Sequence, residues 1–197
     1  MHLLVFADIH QDWQALRNIV AKKADLYLCL GDLTDRSQGL EKAGEILAPL
    51  GENLWLLPGN NETAAQIKSL CQKHGFFDFH QKIIKKGKFF FAGLGYSVKT
   101  PFNTPGEASE EEFEKAFKKF SGFQNLCLFA HNPPKDTQLD ALPTGIHVGG
   151  QSLRDFIEKE KPIYVFSGHI HENEGKIERV GQTTCFGVGK KGLEIWL

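Results

Sequence analysis

The chain has 197 residues, enough for one sizeable core and too few for two ordinary domains with a linker. Its 41% hydrophobic and 24% charged residues describe a globular protein rather than a disordered one. A formal charge of −1 offers no global basic field for duplex nucleic acid or an anionic membrane, and no apolar stretch approaches the length of a membrane span.

The opening MHLLVFADIHQDW carries a short apolar run but no basic n-region and no small-residue cleavage site, so no signal peptide is expected. The near-continuous apolar runs 2–7, 26–30 and 54–57 read as strands buried on both faces. Between and after them lie helical periods at about 13–23, 39–48 and 63–74, with Asp12 and Thr63 as N-caps. This rhythm predicts right-handed βαβ units in a largely parallel sheet. Residues 82–97 read as a hairpin around Lys86-Gly87, and 100–120 as a Pro/Gly loop entering a helix through a Ser109/Glu112 capping box. Two further buried strands, 125–130 and 163–168, flank a helix at 151–160. The tail 175–197 alternates strand and glycine turn three times, which predicts an antiparallel meander. No repeat or linker interrupts the chain, and one mixed α/β domain over 1–197 is expected. Cys29, Cys71, Cys127 and Cys185 form no CxxC pair, three of them sit inside apolar β-like runs as small core side chains, and a reducing, cytoplasmic compartment is expected.

The chemistry stands at the carboxyl ends of the buried runs. Five of them deliver Asp8 and His10, Asp32, Asn60, His131, and His169 with His171. In open α/β sheets ligands bind beyond the strand carboxyl ends. Seven metal-competent groups exceed one tetrahedral zinc and suit two ions sharing a carboxylate. Mixed imidazole and oxygen donors favour manganese, with iron, zinc, nickel or magnesium as alternatives, over calcium. Two ions ~3.5–4 Å apart clamp a phosphate and acidify a bridging water, so no Ser or Cys nucleophile is needed. Asn60 ligates without cancelling charge: two divalent ions, two carboxylates and a hydroxide leave a site near +1, attractive to phosphate. The imidazoles must be unprotonated, so metal affinity is expected to fall in acid.

In this order, Asp8-Ile9-His10, Gly31-Asp32-Leu33-Thr34-Asp35-Arg36, Gly59-Asn60-Asn61-Glu62, His131 and Gly168-His169-Ile170-His171 resemble the motifs of the calcineurin-like metallophosphoesterases. TPFNTPGEASEEE and HVGGQSLRDFIEKEKP are further similar to small, uncapped Icc-like phosphoesterases of prokaryotes. The resemblance implies a four-layer α/β/β/α sandwich without a cap domain. It also implies that Asp8, His10 and His171 hold one metal, that Asn60, His131 and His169 hold the other, and that Asp32 bridges them.

Three positions depart from the family pattern. Asn61 stands where a histidine general acid is common, Glu62 where aspartate is common, and Gln11 where glycine usually follows the first motif. General acids contribute about 10²–10⁴-fold, so losing one favours less basic leaving groups. A phosphodiesterase is the favoured reading, with Asp32, Asn60 and His131 at the reacting centre. His147 is a replacement proton donor and Arg36 a phosphate contact. A phosphomonoesterase or nucleotide hydrolase, and a non-catalytic metal-binding scaffold, are the alternatives. The expected partner is a small phosphate ester, with no duplex nucleic acid and no membrane. Asp35-Arg36 also reads as an ion pair opening the next helix. His2, His74 and His80 read as structural, and GVGKKG lacks the order of a P-loop.

Overall fold

The computed structural model describes residues 1–197. Its elements in chain order are β1 (His2–Phe6), α1 (Trp13–Ala21), β2 (Leu26–Cys29), α2 (Leu40–Leu47), β3 (Leu54–Leu56), α3 (Ala64–His74), β4 (Phe77–Asp78), β5 (Lys82–Lys86) and β6 (Phe89–Leu94). Then come β7 (Ser97–Val98), β8 (Glu107–Ala108), α4 (Glu110–Lys118), β9 (Leu126–Ala130), α5 (Gln151–Glu160), β10 (Tyr164–Ser167), β11 (Ile177–Val180), β12 (Thr183–Gly187) and β13 (Leu193–Trp196). One sheet has the order β13-β1-β2-β3-β4 and the other β11-β12-β10-β9-β6-β5. No helix is long and apolar enough to cross a membrane.

Strand periodicity sorts side chains into layers. In β1, Leu4 and Phe6 pack with Leu16, Ile19, Leu47 and Ile67 of the helices, whereas Leu3 and Val5 face the second sheet. In β9, Leu126 and Leu128 lie under Phe113, Phe117, Phe156 and Ile157 of α4 and α5, and Cys127 and Phe129 turn inward. Between the sheets Trp55, Phe79, Phe91, Phe129 and Phe166 form an aromatic core, each contributing roughly 1.5–3 kcal/mol by burial. The chain is therefore an α/β/β/α sandwich. Its helix ends follow from sequence: the Asp12 carboxylate accepts from the Ala15 N–H, and Thr63 and Ser109 form capping boxes with Gln66 and Glu112.

The tail departs from the expected meander. β11 and β12 pair antiparallel, but β12 runs parallel to β10, and β13 leaves for the other sheet to pair antiparallel with β1. Two features turn it away. The Gly189 carbonyl accepts the Ala7 N–H, and the turn passes through Gly192 at φ +76°. Alternation then places Leu193 and Ile195 on the inter-sheet core, while Trp196 stacks on His2 outside.

Candidate metal centre

β1, β2 and β3 run parallel in one sheet, and β9 and β10 in the other, so five carboxyl ends open on one edge. The loops that leave them are locked together. The N–H groups of Asp8, His10 and Gln11 donate to the carbonyls of Gly31, Asp32 and Leu33. Asp8, His10 and Gln11 have φ of +57°, +44° and +62°, three left-handed residues of the kind found where the surroundings over-determine a strained backbone. The position at Gln11 is thus one that glycine would occupy without strain, and Gln11 anchors itself by donating to Asp35. A Cβ on Gly59 would lie 2.0 Å from Asp32 Oδ1, so only glycine lets β3 leave this close to the Asp32 carboxylate.

Seven side chains converge. Ligand atoms of Asp8, His10 and His171 lie within 4.8 Å of one another, as do those of Asp32, His131 and His169. Asp32 Oδ2 stands between the groups, 3.5 Å from His10 Nε2 and 3.6 Å from His131 Nε2. Asn60 Oδ1 is 3.0 Å from His131 Nε2.

Hydrogen bonding turns lone pairs inward. His131 Nδ1 donates to the Leu30 carbonyl at 3.0 Å, which leaves Nε2 as an acceptor. Asn60 Nδ2 donates to Thr104 Oγ1, so its oxygen faces that same Nε2. Two acceptors 3.0 Å apart repel unless a cation or proton lies between them. Burial, followed by the charge of His10, pushes the His131 imidazole down to about 3, so a proton is not the answer near neutrality. His10 repeats the arrangement: Nδ1 sits 2.5 Å from Asp35, and Nε2 is buried without a partner, as is Asp8 Oδ1. These orphaned acceptors fit divalent cations.

Proton competition falls on the carboxyls more than on the imidazoles. Burial, then the neighbouring His131, lowers His169 to about 3 as well. Burial, then the Asp32 charge, raises Asp8 well above the usual carboxylate range and Glu62 to about 8. Acid sensitivity is therefore reduced at His131 and His169. Manganese loading at pH about 7 should expel a proton from Glu62, because nearby cations favour the ionised carboxylate. Calorimetric titration in buffers of different ionisation heat measures it, and zero release would show that carboxyl already ionised.

Supporting residues surround the cluster. Glu62 is fully buried and accepts the N–H groups of Asp32, Thr34 and Gly59 at 3.0–3.1 Å. Asn61 donates its N–H and Nδ2 to the two oxygens of Asp32 at 2.9 and 2.7 Å. Its amide is thus committed to that carboxylate. Asp35 and Arg36 are not an ion pair opening α2, whose N-cap is Gly39. Asp35 orients His10, while Arg36 donates its backbone N–H to Asn61 and its guanidinium to the Phe102 carbonyl. His147 Nδ1 lies 2.6 Å from buried Asp140, which raises the imidazole's pKa. His147 belongs to neither three-residue cluster. Thr104 and Glu107 escaped the sequence reading, and Asp35 was assigned there to an ion pair, because their roles are contacts between loops.

A family model described as calcineurin-like phosphoesterase matches residues 1–173. The chain belongs to the calcineurin-like phosphoesterases. This phosphoesterase is 37% identical over 180 residues to an uncharacterised protein of Methanocaldococcus jannaschii, covering 88% of its own length and 81% of that relative's. Its fold is similar to that of a protein of Thermus thermophilus, with TM-score 0.72, 15% identity, and 96% and 90% of the two chains covered. It is also similar to a phosphopantetheinyl hydrolase from Mycobacterium tuberculosis, with TM-score 0.62, 13% identity, and 96% and 89% covered. Calcineurin-like phosphoesterases are hydrolases that generally use a dinuclear divalent metal site, and the two clusters are candidate ligand groups for one.

Proposed function

We propose that this phosphoesterase is a two-metal phosphodiesterase, with manganese as its ion. The observation that carries the reading is the set of inward lone pairs, above all the opposed His131 Nε2 and Asn60 Oδ1. Asp8, His10 and His171 would hold one ion, Asn60, His131 and His169 the other, and Asp32 both. Bound there, the ions supply positive charge to the phosphate and acidify water.

The chain's own residues prepare the site. The Leu30 carbonyl and Asp35 fix the tautomers of His131 and His10, so both present Nε2 lone pairs. Asn60 contributes an oxygen without charge, which keeps the centre cationic and suited to a monoanionic diester. Asn61, spent on Asp32, offers no titratable proton to a departing oxygen. Four buried, unpaired thiols support action in a reducing, cytoplasmic setting.

Turnover of an activated aryl diester against the matching aryl monoester, in manganese, tests the preference. The diester is expected to turn over faster. A large preference for the monoester would overturn the diesterase reading while leaving a phosphoesterase.

A further inference from the structure

Beside the candidate centre lies a cleft of about 340 Å³ whose walls include Pro101, Phe102, Leu142 and Val148. His169 and His171 line it too, and both also belong to the two metal clusters. A phosphorus atom held at those clusters therefore has this apolar space next to it, at the lower end of the size of small-molecule sites.

Phe102 is 70% exposed, the least covered large hydrophobic of the chain. It stands on a fastened loop. Its carbonyl accepts from the Arg36 guanidinium at 2.9 Å, and its N–H donates to Thr100 Oγ1 at 3.2 Å. Thr100 and Thr104 hydroxyls both donate to Glu107, as does the Thr104 N–H. These bonds hold the Glu107 carboxyl down to about 2 despite partial burial. The loop is thus tied back to the centre itself, since Thr104 accepts from Asn60. An exposed aromatic ring on a backbone fastened at both its N–H and its carbonyl is an available contact face, and little backbone ordering entropy is lost when it is covered.

We propose that this cleft seats an aromatic leaving group of the phosphoester, with Phe102 as its stacking face. The proposal rests on the phosphoester reading above and narrows its substrate class to aryl or similarly flat esters. Two independent features favour a ring over an alkyl chain. Phe102 contributes a largely exposed ring to the cleft wall, and a flat group covers such a face best. An aryl oxide also departs without the proton that Asn61 cannot supply. In that reaction water's oxygen bonds to phosphorus, and the electron pair of the broken P–O bond stays on the aryl oxygen. Both water protons pass to products and solvent.

Non-hydrolysable phenylphosphonate and methylphosphonate, titrated calorimetrically into manganese-loaded protein, test the cleft without requiring turnover. Phenylphosphonate is expected to bind about tenfold tighter. Phe102→Ala should remove that preference, and Phe102→Leu, which keeps an apolar side chain, should lose most of it. Equal affinities in the unaltered protein, or a preference that survives Phe102→Ala, overturn the proposal. A full preference in Phe102→Leu overturns the aromatic assignment. Hydrolysis without a phenyl preference sinks the cleft alone. A phenyl preference without hydrolysis of any ester supports the cleft and sinks the hydrolase reading.

Discussion

Asp32→Ala is expected to lower kcat/KM on an activated diester by roughly 10³-fold or more, because a carboxylate shared by two ions, the role proposed for Asp32, would underlie several kcal/mol of charge stabilisation. The loss has a second signature. Metal content of the dialysed protein, measured by mass spectrometry, should fall from two ions to one or none. The change also strips Asn61 of both acceptors and removes the charge that raises Asp8 and Glu62. Folding is checked by the unfolding midpoint of the metal-free variant. Two retained ions with activity within tenfold of the parent would show that Asp32 is not the shared ligand.

Glu62→Ala is expected to cost about 3–5 kcal/mol of stability, since three buried N–H groups lose their acceptor at about 1–3 kcal/mol each, not fully additive. For a chain of this size that lowers Tm by roughly 6–20 °C. The effect depends on pH in a defined direction. The folded Glu62 carboxyl titrates near 8 against an ordinary 4.5. Its stabilising proton is therefore fully bound below about 4.5 and lost as pH rises through about 8. In metal-free protein the gap between parent and Glu62→Ala should narrow across that window. Urea unfolding at three pH values reads it, and a cost under about 1 kcal/mol throughout would mean that the loop amides find other partners.

These two residues show what the sequence discloses and what it withholds. Polar groups at strand mouths were legible because buried parallel strands and their carboxyl ends are marked by hydrophobic pattern. The caps at Asp12, Thr63 and Ser109 were legible because they are local. The partners of Glu62 were not, since they lie 28 to 30 residues away for Thr34 and Asp32 and depend on left-handed turns. Asp35 looked like half of an ion pair with Arg36 because adjacency is all a sequence displays. Its bond to His10 crosses 25 residues. The strand 193–196 was readable as a strand, yet period-2 alternation names no neighbour, and so its crossing to β1 went unseen. Asn61 was noticed for the proton it lacks; its hold on Asp32 required coordinates.

That crossing strand has a consequence for how the protein comes into being. β1 carries Asp8 into the centre, and its outer edge is covered only by β13, with His2 paired to Trp196. During synthesis the run Leu3-Leu4-Val5-Phe6 must wait for nearly the whole chain before its free edge is closed. The contact is among the most distant in sequence that the fold contains, and such pairings form slowly. Until then an apolar strand with open backbone groups is exposed to wrong partners, and this interval is where nascent chains would be most prone to aggregate.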